Sequence, residues 1–465
     1  MMFKLNRRSV LKTSAASMAA GAFPTFSHAQ EAFTPPSYTP ADLKGQLTPF
    51  GAIKAGNADG TIPAWTGGGY PMPEGYQPGD PRPIPFADEQ PLFTITSANM
   101  AKYADKLSAG SQELFQKYPD FTMQVFPTHR TAIAPQYVYD NIYQNATNAQ
   151  LSSDGNSVSG AYGGIPFPIP QNGHEVVWNH LLTWVGTTVY YVGEGHTVTA
   201  SGEIVFESRS SNWLQYPYYI ENGQSNWGGL YRQALTVPMA PPYEAGGSIL
   251  QLAPVDLEKI NVEAWTYLVG QRRVRRAPEL QFDTPNSLSG GTTNWDEANI
   301  FQGKQIEYDF AYVGFKEMYV PYNTNKFDAA SVDQQFLPHF LNPDLVRWEL
   351  HRCRVVEMTL KAGSRNVDAK RILYCDEDTG GAVVGEVYDS QGALWKHQHS
   401  IPAVYGDIPC VTTNQAPFIT YDLHAGTYNG GNHFSADCSP QWKPIAQLSD
   451  SFFTPGRLAG SGLGY

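Results

Sequence analysis

The chain has 465 residues, of which 42% are hydrophobic, 13% aromatic and only 16% charged, which excludes intrinsic disorder and provides a core for one large or two ordinary globular units. Its 43 Gly and 35 Pro favour many turns between short strands and exclude an all-helical bundle. The formal net charge is −12, and since the first 29 residues hold four bases and no acid, the remainder stands at about −16, which repels nucleic-acid phosphates and anionic lipid.

Residues 1–29 read as an export signal. Asn6-Arg7-Arg8-Ser9-Val10-Leu11-Lys12 carries the paired arginines of a twin-arginine signal, a weakly apolar run follows, and Ser27-His28-Ala29 places small residues before a cleavage site after Ala29. The run 13–26 contains Ser and Pro24 and is too short to span a bilayer, so a mature protein soluble in the periplasm or outside the cell is expected. Twin-arginine export carries folded proteins, often with a cofactor already bound.

Residues 30–93 are rich in Pro and Gly, as in Pro71-Met-Pro73 and Pro81-Arg-Pro83-Ile-Pro85, and read as an extended arm. Residues 94–465 read as a single β-rich domain. Helical spacing covers 96–118, with Ser97 as N-cap and a break at Ser108-Ala-Gly110. A second helix is expected over 173–184, with Asn172 as cap, Glu175 reaching back, and Val177, Leu181 and Trp184 on one stripe. Strands follow over 185–192, 196–206, 248–254, 262–269, 307–321, 351–360, 371–376, 381–388 and 394–405, with Gly193-Glu194-Gly195 and Asp389-Ser-Gln-Gly392 as turns. The fold class is mainly β (α+β): a large curved antiparallel sheet, a half-barrel, with helices on one face and the arm and residues 271–305 inserted around it.

Cys353, Cys375, Cys410 and Cys438 are an even count in an exported chain. A hairpin centred on Ser364 sets Cys353 opposite Cys375, Val355 opposite Leu373 and Glu357 opposite Arg371, which predicts Cys353–Cys375 and leaves Cys410–Cys438; the alternative is four free buried thiols. Their spacing, with no C-x-x-C, argues against zinc.

Catalytic signatures are absent. Gly173-His174-Glu175 begins like a zinc-protease helix, but position 178 is Trp, and His180 is off that face, which makes both histidines structural. His397 and His399 lie on one side of a strand without a nearby third ligand, and the glycines of 460–464 precede no helix. No catalytic residue, metal or cofactor is expected. The aromatic and Met positions Trp178, Trp184, Tyr191, Trp265, Tyr267, Phe310, Tyr312 and Met318 are instead the candidate lining of a cavity under a helix, a shape that holds an acyl chain or a sterol-like body.

Two blocks, Leu47-Thr-Pro-Phe-Gly-Ala-Ile-Lys-Ala-Gly-Asn-Ala-Asp-Gly-Thr-Ile-Pro-Ala-Trp-Thr-Gly67 and Val158-Ser-Gly-Ala-Tyr-Gly-Gly-Ile-Pro-Phe-Pro-Ile-Pro-Gln-Asn-Gly173, resemble the signatures of a family of exported Gram-negative proteins classed as domain of unknown function 1329. A third, Trp265-Thr-Tyr-Leu-Val-Gly-Gln-Arg-Arg-Val-Arg-Arg-Ala-Pro278, is similar to that family and to LolA/LolB-like lipoprotein carriers, with Val269 where the carriers favour Pro. The resemblance implies a half-barrel closed by helices around an apolar cavity, with an inner-membrane transporter of the resistance-nodulation-division type and an outer-membrane protein as neighbours. It implies no reaction.

Within that block, Arg272, Arg273, Arg275 and Arg276 form a positive patch suited to an anionic headgroup or an acidic partner; the alternative is a strand edge whose arginines pair with acids such as Glu279. The leading reading is a non-enzymatic periplasmic carrier or accessory protein for a lipid-like molecule. The alternatives are a cofactor-binding enzyme exported folded and a scaffold whose arm clamps a transporter.

Overall fold

The computed structural model describes residues 33–257, 263–277, 283–415 and 417–461, and from Thr34 on they belong to one unit. The twin-arginine pair Arg7 and Arg8, the cleavage site after Ala29, and Glu279 lie outside the described residues.

In chain order the strands are β1 (Phe93–Ile95), β2 (Met123–Val125), β3 (Gln150–Leu151), β4 (Val158–Ser159), β5 (Thr188–Val198), β6 (Ile204–Gln215), β7 (Leu230–Ala240), β8 (Ser248–Pro254), β9 (Glu263–Leu268) and β10 (Arg273–Arg276). They continue as β11 (Tyr308–Pro321), β12 (Trp348–Leu360), β13 (Lys370–Asp376), β14 (Ala382–Tyr388), β15 (Leu394–Ser400), β16 (Val404–Tyr405), β17 (Cys410–Val411), β18 (Phe418–Asp422), β19 (Thr427–His433) and β20 (Lys443–Pro444). Sixteen of them form one sheet in the order β1-β2-β12-β13-β14-β15-β18-β19-β5-β6-β7-β8-β9-β10, with β11 also on β12 and β20 also on β5. Pairing is antiparallel except for one parallel bridge, Trp348↔Val125. The sheet ends at β10 without closing, and bulges such as those in β5, β11 and β19 bend it.

Helices cover both faces rather than one. Cross-strand partners share a face, so Val356, Leu373, Gly385 and Gln398 lie together, as do Ile372, Glu386, His397 and Tyr421 on the reverse. Helix α1 (Ala109–Lys117), capped by Ser108 accepting from the Ser111 amide, packs on the second set: a Cβ on Gly110 would meet the His397 ring at 2.3 Å. Helix α2 (Gln136–Asn148) turns Val138 and Ile142 inward. Helix α3 (Gly173–Leu181) lies against the first set, where a Cβ on Gly173 would meet Phe310 at 2.9 Å. Asn172 caps α3, accepting from the Glu175 amide, and Glu175 reaches back to the Gln171 amide. Ser97 is no cap, since its hydroxyl donates to Pro119 O. The helix expected over 96–118 divides into a 3-10 helix, Met100–Lys106, and α1.

Other differences have local causes. Gly193-Glu194-Gly195 is not a turn: β5 runs through it because that stretch is crowded, with a Cβ at Gly193 reaching Asn432 Oδ1 and one at Gly195 reaching Leu288 O, each at 2.6 Å. The turn falls later, between β5 and β6. The β12–β13 hairpin is one residue out of the expected register, pairing Cys353 with Asp376, Arg354 with Cys375, Val356 with Leu373 and Glu357 with Ile372. Cys353 and Cys375 therefore point to opposite faces and enter different core clusters, and they are unlinked. Cys410 and Cys438 are also free and buried, so neither expected disulfide is present.

The region 33–92 has a single short 3-10 helix, Pro40–Lys44, yet it is integrated: Phe50 joins the core under α3 and Ile62 the core under α1. Its anchors are buried guanidiniums. Arg130 donates to the Ile53, Lys54 and Pro63 carbonyls, Arg352 to those of Ile53 and Ala55, and Arg354 to that of Gly51. Charge-assisted bonds to five backbone oxygens explain why an irregular segment holds one path.

Candidate functional site: a cleft beneath a tethered roof

Residues 286–302 form a roof over the face of the sheet that also carries α3. Arg371, fully buried on β13, bridges the Asp296 carboxylate at 2.7 Å and the Asp368 carboxylate. Lys396 on β15 pairs with Glu297, whose carbonyl accepts from Gln398 Nε2 at 3.1 Å. Ile300 fills the space above Gly385. The stretch 271–305 is thus no peripheral insertion: it supplies β10 to the sheet and a roof locked to it by buried ion pairs.

Beneath the roof lies a cleft of about 100 Å³ with many polar side chains in its lining: Ser208, Ser210 and Asn212 of β6, Arg232 and Thr236 of β7, Gln251 of β8, Asn299 and Gln302 of the roof, with Tyr191, Leu214, Trp295 and Phe418 among the apolar residues. A neighbouring cleft of about 50 Å³ is more apolar, with Trp178, Leu181, Tyr231, Ala253, Pro254 and Leu257 in its wall. Arg232, Gln251 and Gln302 line both, so these three side chains form the partition.

Arg232 is the unusual group. It is 8% exposed, its Nη1 donates to Gln302 Oε1 at 3.0 Å, and its Nε has no partner. Among the described residues no carboxylate forms an ion pair with it. Burial raises the Tyr191 phenol to about 12 and pushes those of Tyr216 and Tyr231 up as well, so the surrounding tyrosines stay neutral and supply no countercharge. An almost fully desolvated guanidinium without an anion is costly, and it faces cavities large enough to admit one.

A model of the family described as "Protein of unknown function (DUF1329)" matches residues 94–459. The chain belongs to this family. An uncharacterized Pseudomonas aeruginosa protein, PA3922, is 37% identical over 403 residues, covering 83% of this chain and 86% of the relative. Similar solved structures include a DUF1329 family protein from Desulfovibrio piger (16% identity, 61% of this chain and 95% of that one, TM-score 0.41). A putative outer membrane lipoprotein-sorting protein domain from Vibrio parahaemolyticus (14% identity, 61% and 97%, TM-score 0.41) is another. The LolA superfamily protein NE2245 from Nitrosomonas europaea (14% identity, 61% and 97%, TM-score 0.35) is a third.

In this DUF1329 chain the aromatic positions singled out from the sequence do not gather in one cavity. Tyr191 lines the polar cleft and Trp178 the apolar one. Trp184 is core, its indole donating to Pro409 O. Trp265 and Tyr267 pack in a separate cluster with Leu458 of α4 (Pro455–Ser461). Phe310 and Tyr312 pack beside α3, but Met318 does not share their face: Val313 is the extra residue of a bulge between Tyr312 and Gly314, which switches the alternation and sends Met318 into another core. The guanidiniums of Arg273, Arg275 and Arg276 stand on the exposed edge strand β10, with Arg272 in its turn and Arg276 3.4 Å from Glu263.

The histidines divide. His180 is satisfied on both nitrogens, by Phe301 O at 2.9 Å and by the Ala382 amide at 3.0 Å. His174 meets Gln305 at 3.1 Å. His397 and His399 are fully buried, their rings 5.8 Å apart beside Tyr421, and burial lowers both pKa values, His399 to about 4. Two other groups bring potential metal donors within 4.8 Å of one another: His351, Asp376 and Asp378, and Glu194, His196 and His433. The first is already neutralised: Arg130 clasps Asp378 at 2.6 and 2.8 Å, Asp376 accepts from Tyr322 and Thr379, and His351 faces Glu349 at 3.2 Å.

Sequence reasoning missed Arg232 because the strand that carries it, β7, is not legible in the sequence. Its burial without an anion depends on β6, β8 and the roof, and no local pattern marks it.

Proposed function

We propose that this protein is a periplasmic carrier or accessory protein that binds an amphiphilic, lipid-like molecule with an anionic head, working with an envelope transporter. The observation that carries the reading is the buried, anion-free Arg232 on the partition between a polar and an apolar cleft. A carboxylate or phosphate head seated on the guanidinium would have its tail directed toward Trp178, Leu181 and Ala253. The mixed lining departs from a purely apolar acyl-chain cavity, and it favours a ligand with two chemically distinct ends. Two further features agree: no described helix is long and apolar enough to cross a membrane, and the block 265–278 resembles that of lipoprotein carriers.

The test compares palmitate with hexadecanol, the same chain without the charge, by calorimetry on delipidated protein. Palmitate should bind more tightly, and Arg232→Met should abolish the difference at a loss of about tenfold or more, the equivalent of one charge-assisted hydrogen bond. Equal binding of both probes, or no binding of either to the wild-type protein, would overturn the reading.

A further inference from the structure

On β5, Tyr191 and Gly193 line the cleft, and alternation turns the side chains of Glu194 and His196 to the reverse side of the sheet. There β19 pairs with β5 in the register that puts His433 opposite Glu194. His196 Nδ1 and His433 Nε2 lie 2.8 Å apart, and the three residues bring their donor atoms within 4.8 Å of one another. All three are buried, at 2%, 6% and 0% exposure for Glu194, His196 and His433.

We propose that Glu194, His196 and His433 bind a divalent first-row transition cation. Two imidazole nitrogens and one carboxylate are a donor set for such ions, and neighbouring donors around an ion with bonds of about 2.1 Å sit roughly 3 Å apart, close to the spacing of the two rings. The rings are held in place: Phe336 packs on His196 and His433 with centroids 5.7 and 4.9 Å away. His433 Nδ1 lies 3.4 Å from Phe434 O, and donating there leaves its Nε2 lone pair pointing into the cluster.

The surrounding charge favours a cation. Glu194 is paired on its outer side with Arg209, whose side chain is 41% exposed. Asp333 acts on His196, and Asp437 acts on Arg209, so three carboxylates stand against one guanidinium. With three protein donors, at least one coordination position stays open to solvent or a ligand.

The test is metal uptake by the full mature protein after chelator stripping and dialysis against Zn2+ or Co2+. One equivalent of zinc by elemental analysis, visible d–d absorption in the cobalt form and a higher Tm of the zinc form are expected. His433→Gln and His196→Gln should each weaken zinc binding at least about tenfold, and His351→Asn should leave it unchanged. Substoichiometric uptake by the wild-type protein would overturn the proposal without recourse to any variant. So would undiminished uptake in folded His196→Gln and His433→Gln proteins, or its loss in His351→Asn alone.

Discussion

Exchanging Arg371 for Met tests whether buried charge, rather than apolar packing, holds the roof over the cleft. Arg371 is fully buried and bridges Asp296 at 2.7 Å and Asp368, which are 1% and 0% exposed. Removing the cation leaves two carboxylates with no route to water, a class of change that costs about 3–5 kcal/mol. Unfolding entropy of about 2.1 cal/mol/K per residue gives about 1 kcal/mol/K for a chain of this size, so the Tm should fall by about 3–5 °C in a scanning calorimeter. The roof should also loosen, and limited proteolysis should cut within residues 283–305 in the variant before the wild-type protein is cut there. Adding Asp296→Asn and Asp368→Asn should recover most of the loss, because neutral amides no longer need the guanidinium. A variant with unchanged Tm and unchanged cleavage, or a triple variant no better than the single one, would refute the argument.

Two other outcomes follow from the same physical chemistry. Burial raises the Asp328 carboxyl to about 7, against the opposing hydrogen bond from Tyr405 and the charge of Arg82. The unfolded chain ionises near about 4, so the folded protein holds the extra proton and loses stability as pH rises from about 4 to about 7. Between about pH 5 and pH 7 the wild-type protein should lose on the order of 2 kcal/mol relative to Asp328→Asn, read from urea midpoints, and a constant difference would show that Asp328 ionises normally. On the exposed edge strand, Arg273→Glu with Arg275→Glu should abolish low-salt binding to phosphatidylglycerol vesicles. If the wild-type protein ignores such vesicles, or the variant binds them equally, these arginines serve to keep the free edge of β10 from pairing with another chain.

Local chemistry was legible where one segment decides its own conformation. Asn172 and Glu175 cap α3, the break at Ser108 separates two helical stretches, β8 spans Ser248–Pro254 as alternation predicts, and the block 158–173 lies within the match to the family. Failures came where a second segment arbitrates. Gly193 and Gly195 read as turn residues, and only the side chains and backbone facing them on neighbouring segments reveal that they are strand glycines. The β7, β18 and β19 strands escaped notice because their mixed polarity reflects a cleft on one face and core on the other.

The sequence by itself determined a β-rich, aromatic, acidic chain and its membership of the DUF1329 family, because composition and contiguous motifs need no partner to be read. Tertiary structure alone decided everything that depends on register. A slip of one residue separates Cys353 from Cys375, and a bulge at Val313 turns Met318 away from Phe310. The pairing of β5 with β19 brings His433 to Glu194 and His196 across more than 200 residues, as packing under the roof leaves Arg232 without an anion. Side-chain direction alternates residue by residue along a strand, so a shift too small for any sequence pattern to register moves a group from one face of the sheet to the other.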